Sequence, residues 1–225
     1  TGYTRAEACI GNFYEYGRGG IERDLAEACR HYCIAAEQGD DYGLYNYARF
    51  IDNGLGGCEI DEAKAFSLYL KSAEMGNIGA QTQAGRCLLY GVGVKKNLNR
   101  AEELLRRSAD MGDALGQLLC GFCLQQKKRN EEALEMYEKA AEQKDGTAIM
   151  LLTNAYMYGK MGLKRDYGKM RYGLELGLES NIPLMYNIQG FCYEYGRGFT
   201  KNMVEAMPCY EKALQGGVGE AAFNL

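Results

Sequence analysis

The sequence predicts an all-α solenoid of helix-turn-helix repeats, and three observations carry that prediction. The stretch Gly11 to Gly39, GNFYEYGRGGIERDLAEACRHYCIAAEQG, reads as a helix, a glycine loop, a second helix and a glycine stop, and it recurs with variations along the chain. The loop glycines Gly17, Gly54, Gly91, Gly159 and Gly196 lie 37, 37, 68 and 37 residues apart, the 68 spanning two periods of which one is short. Self-similarity at a fixed period of this length marks stacked repeats. In the second helix three columns follow one another: Ala28, Ala65, Ala101, Ala133, Gly168, Ala206; then Tyr32, Tyr69, Leu105, Tyr137, Tyr172, Tyr210; then Ala36, Ala73, Ala109, Ala141, Leu176, Leu214. Each column lies four residues after the last, and residues four apart share one helical face.

The first helix of each unit carries small residues at Gly11, Ala48, Gly85, Gly121, Thr153 and Gly190, with a second small column five residues earlier at Ala6, Gly43, Ala80, Gly116, Ala148 and Met185. Glycine costs a helix roughly 1 kcal/mol against alanine, so its recurrence at one register implies close helix approach, where a larger side chain overpacks. Bulky pairs such as Phe13 with Tyr14 and Phe50 with Ile51 then face the second helix of the same repeat.

The loop glycines end the first helix by supplying left-handed residues. Asp24, Asp61, Asn97 and Asn202 stand four before the alanine column, as N-caps of the second helix. Asp24 with Glu27 and Asn202 with Glu205 have capping-box spacing. Gly39, Gly76 and Gly112 close it.

Six repeats, approximately 6–42, 43–79, 80–115, 116–147, 148–184 and 185–220, form a single array over 1–225, with a seventh starting at 221–225. The fourth is short: Gly121 to Ala133 covers 12 residues against 17 from Gly11 to Ala28, and its loop QQKKRN lacks Gly-x-Gly. The fifth has GKMG at Gly159 to Gly162 and a glycine, Gly168, in the alanine column. A local change of curvature is expected there.

Composition bounds the function. The chain is 47% hydrophobic with two prolines, Pro183 and Pro208, which points to a packed helical protein. Net charge is −4 without a lysine or arginine stripe, which argues against nucleic acid or an anionic membrane as partner. No apolar run approaches the ~20 residues of a membrane span, and no signal peptide is visible. Nine cysteines cannot all pair within the chain. Cys87, Cys123 and Cys192 share a column with Phe13, Phe50 and Ala155, as core-filling thiols do. A reduced cytoplasmic setting and a monomer are expected; Thr1 and the mid-helix stop at Leu225 give the chain a trimmed look that leaves secretion open.

Gly11, Tyr14, Gly17-x-Gly19, Asp24, Ala28, Tyr32 and Ala35-Ala36-Glu37-x-Gly39 resemble the Sel-1-like repeat, a relative of the tetratricopeptide repeat with a longer internal loop. The resemblance covers essentially the whole chain. It implies a right-handed α/α superhelical solenoid with first helices lining a concave face, and a non-enzymatic scaffold or adaptor. Some secreted bacterial relatives join the helices of each repeat by disulfides; here the second helices of repeats two to five lack cysteine, so that pattern fails.

If the core columns face inward, the positions three before, one after and four after the small column of the first helix lie open, within about 60° of one another. They read Ala8, Asn12, Glu15; Tyr45, Arg49, Asp52; Thr82, Arg86, Leu89; Leu118, Phe122, Gln125; Met150, Asn154, Met157; Asn187, Phe191, Glu194. By resemblance, Asn12, Arg49, Arg86 and Asn154 grip a peptide backbone or carboxylate, as arginine's planar fork can. Phe122, Met150, Met157 and Phe191 offer an apolar half of the groove, and Tyr45 is a further partner-binding candidate in the stripe. The structural alternative is that these side chains pack on the next repeat, with Arg49 and Arg86 pairing Asp52 or other acids.

No catalytic, metal or cofactor site emerges. In Cys29, His31 and Cys33 only the cysteines share a face, leaving core thiols and a surface histidine that nothing orients. Cys120 and Cys123 form a CxxC inside a helix without a preceding strand. The functional expectation is a scaffold that binds a protein or peptide segment in its groove. Alternatives are a regulatory or spacer module of a larger enzyme or signalling protein, and a secreted binder of small cell-wall-type ligands.

Overall fold

The computed structural model describes residues 2–224. Among them are twelve α-helices and no strand: α1 Gly2–Tyr16, α2 Leu25–Glu37, α3 Asp41–Asn53, α4 Glu62–Glu74, α5 Ile78–Tyr90, α6 Leu98–Asp110, α7 Ala114–Gln126, α8 Asn130–Glu142, α9 Gly146–Tyr158, α10 Tyr167–Glu179, α11 Pro183–Tyr195 and α12 Met203–Gln215. Odd-numbered helices open each repeat and even-numbered ones close it. The chain divides into two compact units that meet between Cys123 and Leu124, inside the short fourth repeat. In the first unit each helix from α1 to α6 packs on the next, and α3 also lies against α1; in the second, α8 to α12 pack in succession. The chain is an all-α, helix-pair solenoid.

The caps form as the sequence implies. Asp24, Asp61, Asn97, Asp166 and Asn202 each accept a backbone N–H of the first turn of the following helix. The capping boxes form only in half. The Asp24 and Asn202 N–H groups donate to Tyr14 and Tyr193 carbonyls of the preceding helix, at 2.9 Å in both cases, and Glu27 turns instead to Arg30. These bonds tie the two helices of a repeat together.

Glycine permits the close approaches. A Cβ on Gly11, Gly85 or Gly190 would sit 2.9, 2.6 or 2.6 Å from the side chain of Tyr32, Leu105 or Tyr210. A Cβ on Gly43 would sit 2.5 Å from Ala35. Gly93 has φ +64, and a Cβ there would run into the Glu62 carbonyl of the preceding second helix. Of the bulky pairs, Phe50 packs edge-on against Tyr32 of the preceding repeat at 5.3 Å. Phe13, at the same register, is 42% exposed.

The fifth repeat needs a correction of register. Its second helix is capped by Asp166, so the column read as Gly168, Tyr172 and Leu176 is Met170, Leu174 and Leu178. Met170 and Leu174 are 0% and 1% exposed, whereas Tyr172 is 61% exposed. With that change, column positions 28, 65, 101, 133, 170 and 206 leave only the fourth repeat short. The same register aligns Lys144 and Asn181, both with positive φ, with Gly39, Gly76, Gly112 and Gly217. Size is exchanged across the repeat junction too. Gly43 faces Ala35, while in the fifth and sixth repeats Gly177 faces Met185.

Candidate functional site: the first-helix stripe

The stripe expected to be open is only partly so. Its edge three before and four after the small column is largely closed: Ala8, Thr82 and Leu118 are 0%, 1% and 6% exposed, and Glu15, Leu89 and Met157 are 7%, 0% and 1%. In the first unit α3 packs on α1, and Arg49 and Arg86 reach back from α3 and α5 to acids of the preceding first helix.

Charged groups on that edge form a relay between repeats. The Arg49 guanidinium donates to both carboxylate oxygens of Glu15 at 2.6 Å, and the Tyr32 hydroxyl donates to Glu15 at 2.8 Å. Arg86 donates to Asp52 at 2.6 Å and Tyr69 to the same oxygen at 3.4 Å. Acid, tyrosine and arginine thus recur at i, i+17 and i+34. Burial opposes the charge of Arg49, but the Glu15 bonds outweigh it and raise the guanidinium pKa above its ordinary value. Burial and the Glu15 bond raise the Tyr32 hydroxyl far above its ordinary value.

The chemistry of the edge changes in register. Gln125 accepts from Tyr137 at 2.9 Å and Glu194 from Tyr210 at 2.6 Å. Where the tyrosine is replaced by Leu105 or Leu174, the acceptor is replaced by Leu89 or Met157. The next repeat follows suit: Arg49 and Arg86 come after acids, Asn154 after Gln125, and Phe122 and Phe191 after Leu89 and Met157. Stacking between repeats accounts for Arg49 and Arg86 without a ligand.

The sequence-predicted residues therefore separate. Arg49 and Arg86 are engaged between repeats, as the structural alternative held. Met157 is buried, a correction to its expected place in an open groove. Tyr45 is half-buried, with ring atoms at the surface of Gly79 in the next repeat. Asn12 donates to the Tyr42 hydroxyl at 3.1 Å. Phe122, Asn154 and Phe191 are partly exposed.

The open edge lies five residues after the small column, about 40° beyond the row of Arg49 and Phe191. There Tyr16, Tyr90, Tyr158 and Tyr195 are 54%, 52%, 40% and 57% exposed. Each is the last residue of its first helix and precedes a loop glycine. In the second unit Tyr158 and Tyr195 join a cluster: the Arg197 guanidinium lies 5.4 Å from the Tyr158 ring and 4.8 Å from Phe191, whose ring is tilted against Tyr195 at 4.6 Å. Sequence reasoning missed Tyr158, Tyr195 and Arg197, although the recurring Tyr-Gly pair at helix ends signals them.

His31 departs from the expected surface histidine. Its ring stacks on Tyr14 at 5.5 Å and 11°, and Nδ1 lies 2.8 Å from Glu7. Among the described residues no group of His, Cys, Asp and Glu is arranged to hold a metal. Burial pushes the Cys87, Cys120 and Cys192 thiols up to about 11, away from nucleophilic use. No described helix is long and apolar enough to cross a membrane.

Comparison with known proteins agrees with this architecture. The Sel1 repeat model matches residues 6–40, 41–77, 78–113, 115–145, 148–169 and 190–218. The protective antigen c5321 of uropathogenic Escherichia coli, which displays an SLR fold, superposes with a TM-score of 0.84 at 24% identity, over 98% of this chain and 47% of that one. A Sel1 repeat protein from Oxalobacter formigenes gives a TM-score of 0.79 at 26% identity, over 93% of this chain and 84% of that one. The ERAD-associated E3 ubiquitin-protein ligase component HRD3A of Arabidopsis thaliana is 29% identical over 140 residues, which is 54% of this chain and 20% of that protein. Human protein sel-1 homolog 2 is 30% identical over 117 residues, 48% of this chain and 17% of that protein. The chain thus spans about a fifth of the length of these curated relatives. Proteins built of these repeats serve as protein-interaction scaffolds and are typically non-catalytic. With six matched repeats and the corresponding fold, this chain belongs to the Sel1 repeat family.

Proposed function

We propose that this chain is an interaction scaffold that holds a segment of a partner protein on the open edge of the first helices α9 and α11 in its second unit. The observation that carries the reading is the pair Tyr158 and Tyr195, large aromatics left in solvent at one register of successive first helices in the second unit. Exposed aromatics gathered in register favour docking, because tyrosine offers apolar area and a hydroxyl at low entropic cost. Phe191 and Arg197 complete an anchor in the second unit. Asn154 lies one turn before Tyr158 and presents an amide suited to a peptide backbone. Arg49 and Arg86 act mainly by holding the repeats in register.

A peptide-display selection on the whole chain tests this. Selected peptides are expected to lose about tenfold or more in affinity, the equivalent of roughly 1.4 kcal/mol, on Tyr158→Ala and Tyr195→Ala. Val204→Ala, on the 79%-exposed Val204 of α12, is expected to leave binding unchanged. Peptides that bind all three variants equally would place the site elsewhere.

A further inference from the structure

The second unit contains a cavity of about 220 Å³ between α8, α9 and α10, lined by Ala141, Ile149, Leu152, Tyr156, Gly173 and Leu176, with Glu138, Glu142 and Lys169 at its rim. Its origin is legible by comparing repeats. Counting seven residues from the N-cap, His31, Leu104, Met136 and Cys209 correspond to Gly173. Tyr14 corresponds likewise to Tyr156. In the first repeat the His31 ring lies parallel to Tyr14 and its N–H group meets the Glu7 carboxylate. Among the described residues of the fifth repeat no ring takes that place; the Lys169 ammonium lies 5.0 Å from the centroid of the Tyr156 ring instead. A Cβ on Gly173 would meet the Thr153 hydroxyl at 2.5 Å, so the larger residue in the small column keeps the position empty.

We propose that this cavity binds a planar aromatic ring carrying an N–H, of about indole size. The volume exceeds the roughly 150 Å³ of an apolar cavity that takes benzene. Tyr156 supplies the aromatic wall that Tyr14 supplies to His31. Glu138 and Glu142 of α8 both line the cavity: Glu138 accepts from Tyr156 at 2.8 Å, Lys169 reaches the same hydroxyl at 3.3 Å, and the exposed Glu142 is the acceptor assigned to the ring N–H. The site is separate from the tyrosine row, and its failure would leave that reading intact.

The test is a titration of the whole chain with free indole, followed by the methyl resonances of Ile149, Leu152 and Leu176. Saturable shifts are expected, abolished in Leu176→Phe, which fills the space with the chain still folded by circular dichroism. Indene, the same shape without N–H, is expected to bind about tenfold more weakly, and indole to lose a similar factor on Glu142→Gln. N-acetyl-tryptophanamide separates the sources: binding as tight as indole assigns the site to a partner's side chain, and exclusion assigns it to a free small molecule. Absence of saturable shifts, or equal shifts in Leu176→Phe, overturns the proposal. Equal affinity for indene and indole overturns its N–H requirement.

Discussion

Arg49 donates to both carboxylate oxygens of Glu15, 34 residues earlier and one repeat away. Glu15 is 7% exposed and also accepts from Tyr32, so three polar groups depend on one another inside the stack. Removing Glu15 leaves the Tyr32 hydroxyl without its acceptor and Arg49 with Asn46 as its one hydrogen-bond acceptor among the described residues. Glu15→Leu alone is expected to destabilise the chain by about 1–3 kcal/mol, the cost of unsatisfied buried polar groups. The triple change Glu15→Leu, Tyr32→Leu, Arg49→Phe imports the apolar set that stands at Leu89 and Leu105 of the third repeat and Phe122 of the fourth. It is expected to recover most of that loss, since apolar replacement of a whole buried pair is often near neutral. Urea unfolding of the single and triple variants checks this. A triple variant no more stable than the worst single would show that the relay is not an interchangeable stacking unit.

Lys144 closes α8 with φ +64, at the register where Gly39, Gly76 and Gly112 close other second helices. A side chain in the left-handed region costs roughly 1–2 kcal/mol, offset in part because glycine loosens the unfolded chain. Lys144→Gly is therefore expected to stabilise by about 0.5–1 kcal/mol. Asn181→Gly, at the same register with φ +52, is expected to gain less, because asparagine tolerates that backbone. Thermal unfolding of the two variants against the parent decides it; equal or reversed gains would mean that local contacts, not backbone strain, govern these stops.

Local signals made most of the fold legible. Caps, loop glycines and small columns depend on residues near in sequence, and their period makes each repeat a check on the others. Where type and cap disagreed, type misled: Tyr172 looked like the buried tyrosine of its column, but Asp166 starts the helix two residues later than that reading requires. The stripe was harder to read because helical angle alone does not tell a solvent-facing edge from one covered by the next repeat. The pairing of Glu15 with Arg49 spans 34 residues and is visible only when acceptor, tyrosine and arginine rows are compared together. The exposed tyrosines announced themselves by their Tyr-Gly pairs, yet glycine's role as a helix stop absorbed the attention those pairs invited.

Buried thiols make the stability of the chain depend on alkaline pH. Burial raises Cys87, Cys120 and Cys192 to about 11, and burial with the Cys58 bond raises Cys29 to about 12. A raised folded pKa means that the native state holds its protons more tightly than the unfolded chain. The stabilising contribution is whole below about pH 8.5, the ordinary thiol value, and is lost as pH climbs through about 11, where the folded thiols ionise. Tyr32, Tyr69 and Tyr210 are raised in the same sense by burial and extend the loss further upward. The melting temperature is expected to be level from pH 7 to 8.5 and to fall steadily from there to pH 11, each buried thiol contributing on the order of 2 kcal/mol. Thiol-specific labelling of the native chain at pH 8 provides the second check. Exposed Cys9 is expected to react at once, and buried Cys87, Cys120, Cys123 and Cys192 only at the rate of unfolding. A melting temperature that stays level to pH 11 would show that these thiols ionise in the unfolded chain no more readily than in the native one.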